Sequence, residues 1–166
     1  MPAVWTARLA LPLMLVLAAC QPQQARPLSE SVSGDSVRGV VSITGTSFEK
    51  FIDLRRESGS IRLTSGKRDS SALSRIGGVE IVARGKPQGR TFAVESFSVV
   101  AVDGQPVVDG IIRNVLGALT LETPTAFLKL GNPPVALRSM EGARVWIGGS
   151  LATGPNRYGV IQPAGN

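Results

Sequence analysis

From residue 37 onward the chain is built of short apolar runs that alternate with polar residues and are repeatedly cut by glycine. A period of two is the mark of strands buried on one side, and 19 Gly with 11 Pro leave little room for long helices. Gly39, Val41 and Ile43 fall on one face, with Arg38, Ser42 and Thr44 on the other. Ile52 and Leu54 alternate with Phe51, Asp53 and Arg55, and Ile61 and Leu63 alternate with Arg62 and Thr64 after a turn at Ser58-Gly59. Val79, Ile81 and Ala83 then alternate with Glu80, Val82 and Arg84. In the run over residues 91–102, Phe92 and Val94 hold one phase and Phe97 and Val99 the other, which predicts a bulge or sharp bend near Ser96. Between the third and fourth runs, residues 69–78 read as a short helix. Asp69 or Ser70 would cap it, Leu73 and Ile76 form its apolar pair, and Gly77-Gly78 would stop it. The expected class is all-β with one short helix.

Three strands, a short helix and two more strands, in that order, resemble the OB-fold, a small five-stranded barrel. The resemblance covers residues 37–103 and is one of topology; another small β-barrel or sandwich is the alternative. It implies a ligand face formed by the second and third strands and the loop before the fourth. Arg55, Arg62, Lys67 and Arg68 fall in those elements.

A second related β module is expected over residues 104–166. Residues 71–85 lie on residues 135–149 at a shift of 64, so that Ala72, Leu73, Gly78 and Gly85 meet Ala136, Leu137, Gly142 and Gly149. Ile81 meets Val145 and Val82 meets Trp146, while Arg38-Gly39-Val40-Val41 resembles Asp109-Gly110-Ile111-Ile112. The competing explanation is that strands preceded by a glycine turn resemble one another generally. A chain of 166 residues holds one ordinary domain or two very small ones, so two such modules are expected to share an interface. Asp103-Gly104 and Asp109-Gly110 read as turns around the junction. Trp146, in phase with Arg144, is a candidate for module or partner contact.

The first twenty residues divide differently. Arg8 precedes an uncharged apolar run over residues 9–18, shorter than the roughly 20 residues a bilayer span requires but suited to an export signal. It ends in Leu17-Ala18-Ala19-Cys20, which resembles the lipobox of bacterial lipoproteins, and this Cys is the only one in the chain. The resemblance implies cleavage before Cys20 and lipidation of its sulfur. A plain secretory signal or an uncut N-terminal anchor are the alternatives. Gln21, rather than Asp, implies the outer membrane, facing the periplasm, with surface exposure also open. Residues 21–36 read as a flexible tether.

Composition narrows the chemistry. Without His there is no Ser–His–Asp or Cys–His pair and the commonest zinc ligand is missing; one Cys forms no internal disulfide. No metal or cofactor is expected. Aromatic residues, at 5%, are too few to read a single strand by stacking, and nucleic acid is not an expected partner. Residues 50–90 hold ten Lys and Arg against four acids, a local net of +6, while the remainder of the chain after the leader is close to neutral. Such a field concentrates polyanions. The expected function is therefore a non-catalytic, lipid-anchored binding or scaffolding module. Its ligand would be an anionic lipid, lipopolysaccharide, a glycan or an envelope protein. The alternative is an envelope hydrolase whose carboxylates, such as Glu95, Asp103 and Asp109, are assembled by the fold.

Overall fold

A computed structural model describes residues 36–46 and 48–165; the leader, Cys20 and residues 21–35 lie outside the described residues. The first half runs β1 (Ser36–Gly45), β2 (Lys50–Arg56), β3 (Gly59–Thr64), α1 (Lys67–Leu73), β4 (Val79–Gln88) and β5 (Thr91–Val102). β1 pairs antiparallel with β2 and β4, β2 with β3, and β4 with β5. A parallel β3–β5 ladder, with Leu63 opposite Phe92, closes the ring. This is the strand order of an OB-like barrel.

The alternation seen in the sequence sets what fills it. Val41, Ile52, Leu54, Leu63, Ile81 and Ala83 all point inward and are buried, with Leu73 and Ile76 plugging from the helical segment. Burying each large side chain stabilises the fold by about 1.5–3 kcal/mol. In β5 the register slips between Val94 and Ser96, leaving Glu95 as the extra residue, and again between Val99 and Ala101. The first slip is why Phe92 and Val94 face the core in one phase and Phe97 in the other. α1 begins earlier than the sequence suggests. Its N-cap is Gly66, extended at φ −61°, ψ 160°, with no side-chain cap, so Asp69 sits inside the first turn.

Asp103 and Gly104, with φ of 52° and 72°, make the tight turn into the second half. There follow β6 (Gln105–Val115), β7 (Ala118–Glu122), β8 (Phe127–Lys129), α2 (Val135–Arg138), β9 (Arg144–Ser150) and β10 (Gly154–Gln162). The pairings repeat those of the first half: β6 with β7 and β9, β7 with β8, β9 with β10. Registers correspond too. Val41 lies opposite Leu54 as Ile112 lies opposite Leu121, and Gly39 opposite Ile81 as Gly110 opposite Val145. The Gly78 amide donates to the Val41 carbonyl at 2.8 Å, and the Gly142 amide to the Ile112 carbonyl at 2.8 Å. Both glycines are left-handed, at φ 85° and 82°. One contact is not repeated: among the described residues β8 and β10 do not pair, so the second sheet stays open where the first closes.

Asp109-Gly110, read from the sequence as a turn, is instead the middle of β6. Gly110 is required there because a Cβ would run into the Glu122 carbonyl of β7, just as one on Gly39 would run into the Arg55 carbonyl of β2. The second half has its own core of Ile112, Leu121, Leu137, Val145 and Ile147, whereas Ile161, Val107 and Trp146 pack on the core of the first. Both cores lie in one compact unit, Val32–Asn166.

Candidate functional site

The barrel has a natural opening where β1 changes partner. Residues Val40 to Gly45 are laddered to β2, and residues Ser36 to Val40 to β4. At the divergence lies an open groove of about 940 Å³. Arg38, Gly39 and Val40 form one wall, Arg55, Arg56, Glu57 and Ser58 the other, and Glu80 contributes from β4. The absent side chain of Gly39 leaves space that the Arg56 stem crosses.

Charge in this groove is unevenly matched. The Arg38 Nε donates to Glu80 Oε1 at 2.8 Å, and this hydrogen bond, with the Glu80 charge, raises the Arg38 pKa above the ordinary arginine value. Arg38 therefore stays cationic at any working pH. Neither Arg55 nor Arg56 has an acidic partner among the described residues. The Arg56 Nε is buried and makes no hydrogen bond among the described residues. An unmatched donor out of water costs about 1–3 kcal/mol, which an anion reaching it would recover.

The four sequence-predicted basic residues do not gather in one place. Arg55 and Arg62 share the outer face of the β2–β3 hairpin, Arg55 opposite Ser60 and Arg62 opposite Asp53. Arg62 is already engaged: its Nε donates to Asp53 Oδ1 at 3.2 Å and its guanidinium lies 3.9 Å above the Phe51 ring. The Thr44 hydroxyl holds the other Asp53 oxygen at 2.6 Å. Lys67 and Arg68 open α1. Arg68 lines a separate depression of about 400 Å³ with Arg75 and the C-terminal Gln162 and Pro163, sharing no residue with the groove. Sequence reasoning missed Arg38 and Arg56. Arg38 lies outside the basic segment, and the β2 alternation puts Arg56 in phase with the core residues Ile52 and Leu54. Only its place at the strand end, beside Gly39, turns it to the barrel mouth.

Trp146 and Arg144 project from β9 on the side opposite Val145 and Ile147 and meet the first half. Trp146 packs on the barrel core and its indole lies over Gly159 across the β9–β10 ladder. Arg144 forms a bidentate pair with Asp109, Nε to Oδ1 at 2.9 Å and Nη2 to Oδ2 at 2.5 Å, and also donates to the Phe97 carbonyl. Its guanidinium sits 4.4 Å from the Phe97 ring centre. Asp109 Oδ2 further accepts the Val99 amide at 2.9 Å. Glu95 pairs with Lys86 at 3.6 Å and Asp103 with Arg157 at 3.7 Å. Among the described residues no group of three or more His, Cys, Asp or Glu could hold a metal ion, and no helix is long and apolar enough to cross a membrane.

No protein-family model and no curated protein matches the chain. Two solved structures share local likeness. One is the crystal structure of TiaS in complex with an isoleucine tRNA and ATP, at 15% identity and TM-score 0.32, covering 55% of this chain and 24% of that one. The other is the crystal structure of a tRNA fluorescent labeling enzyme, at 13% identity and TM-score 0.32, covering 78% of this chain and 31% of that one. The match thus spans less than a third of either protein's length.

Proposed function

We propose that the chain is a lipid-anchored cell-envelope binding module whose first barrel receives an anionic ligand in the groove between β1 and the β2–β3 turn. The observation that carries the reading is the adjacent pair Arg55 and Arg56, both lining one groove without an acidic partner among the described residues. Arg38, held by Glu80, would flank the ligand without being free to clamp it. The lipobox-like Leu17-Ala18-Ala19-Cys20 supports placement at the outer membrane, where lipopolysaccharide, anionic lipid and anionic glycan supply such groups. Asp109, Glu95 and Asp103, the acids on which a hydrolase would draw, are each tied to a base.

The test is titration with lipopolysaccharide at rising ionic strength. Binding should weaken steeply with salt, since the Debye length falls from about 10 Å at 0.1 M to about 3 Å at 1 M. Arg55→Glu with Arg56→Glu should abolish it, whereas Arg68→Glu should leave it nearly unchanged. Salt-independent binding, or equal losses from all three substitutions, would sink the reading.

A further inference from the structure

The β6–β7 connection is a two-residue turn, Leu116-Gly117, with φ of 51° and 79°. Positive φ at both central positions suits Asn-Gly or Asp-Gly, and the chain uses Asp103-Gly104 in that role elsewhere. Leucine is a poor choice here, because its Cβ strains the left-handed backbone. It also gains nothing by burial: Leu116 is fully exposed, at 102%, and the adjacent Val115 is 42% exposed. The residue is thus disfavoured by both conformation and solvation, which points to contact with something outside the fold. The corresponding connection of the first half, between β1 and β2, likewise presents a fully exposed apolar side chain, Phe48 at 101%.

We infer that the Leu116 tip inserts into the surface of a lipid bilayer. This rests on the reading that the chain is membrane-anchored. A single protruding side chain on a hairpin is far too small for a stable protein interface, which needs on the order of 800 Å² per partner. A bilayer needs no matching pocket. Of the charges near the tip, Arg113 is bound to Glu122 at 2.6 Å, while Glu141, whose carboxylate accepts from the Asn114 amide at 3.4 Å, lies behind the turn rather than on it. The stretch from Cys20 to Ser36 reaches at most about 55 Å, so an anchored body stays within touching distance of the bilayer and the weak insertion becomes intramolecular.

The test uses residues 21–166, which include the whole compact unit and carry no cysteine, with a polyhistidine tag before Gln21. The tag holds the chain on vesicles of phosphatidylethanolamine and phosphatidylglycerol containing a nickel-chelating lipid. Asn114→Cys supplies one thiol beside the tip for an environment-sensitive fluorophore. With Leu116 present the probe's emission should shift to the blue on tethering. Leu116→Asn should lower the inserted-to-free ratio by roughly ten- to a hundredfold, the range expected for one buried leucine. It should also leave the melting temperature unchanged or higher, because asparagine suits the turn. Three results would each overturn the inference: no shift with Leu116 present, a shift of equal size in the Leu116→Asn variant, or a fall in melting temperature on substitution. The tag replaces the acyl anchor, so failure here is distinct from finding Cys20 unmodified in cells.

Discussion

Removing the Asp109 carboxylate should weaken the fold more than removing any other acid. It is 8% exposed and accepts from Arg144, itself 21% exposed, and from the Val99 amide. Asp109→Ala leaves a largely buried guanidinium without its counter-charge, and breaking a buried pair from one side costs about 3–5 kcal/mol. The residual exposure of Arg144 reduces that figure, while the orphaned Val99 amide adds about 1–3 kcal/mol, so a total of about 3–5 kcal/mol is expected. That is a large part of a stability of about 5–15 kcal/mol. Asp109→Asn, which also removes the counter-charge and turns its NH2 toward a donor from Arg144 or Val99, should cost nearly as much, about 2–4 kcal/mol. Arg38→Ala, whose side chain is 65% exposed, should cost less than about 1 kcal/mol. Urea unfolding measures all three, with the midpoint moving at constant slope. The double-mutant cycle of Asp109→Ala with Arg144→Ala should show coupling of about 2 kcal/mol. A cost for Asp109→Ala no greater than that for Arg38→Ala, or no coupling, would refute the view that Asp109 and Arg144 act as one buried unit beside Phe97 and Val99 of the first half.

Other outcomes follow from the same geometry. Gly39→Ala and Gly110→Ala should each destabilise by about 2–4 kcal/mol, because the nearest obstruction is a neighbouring strand's carbonyl, joined at Gly110 by the buried Leu121 side chain; thermal unfolding would show it. Trp146→Ala should cost about 2–4 kcal/mol, less than for a fully enclosed tryptophan, and should speed amide exchange in β9 and β10. Deleting Glu95 removes the extra residue of the β5 bulge and leaves Phe92, Val94, Phe97 and Val99 in one unbroken period of two, so the cooperative unfolding transition should survive by circular dichroism. Deleting Ser98, which sets Val99 against the phase of Phe97, should abolish it.

Much of the barrel was legible because alternation is a direct record of burial. Val41, Leu54, Leu63 and Ile81 could be placed inside from spacing alone, and the change of phase in the 91–102 run marked the bulge. The repeat was legible through glycines whose role is steric: Gly39 and Gly110 meet a neighbouring carbonyl, and Gly78 and Gly142 take the same left-handed turn. Other features depend on proximity, which spacing does not record. Asp109-Gly110 has the composition of a turn, yet its glycine serves a strand crossing and its carboxylate reaches Arg144, 35 residues away. Helix α1 has no side-chain cap, so its start at Lys67 left no polar signal. At the candidate site, summed charge identified the basic half of the chain but not which arginines are free. Arg62 is matched by Asp53 across one ladder, while Arg56 reaches the groove only through its place at the end of β2.

Both the groove's ligand and the hairpin tip's partner depend on where the chain is held. Mass spectrometry of the mature N-terminus recovered from cell membranes should find Cys20 as the first residue, carrying a diacylglyceryl thioether. Recovery of the same chain with an unmodified Cys20, or free of the membrane fraction, would contradict it.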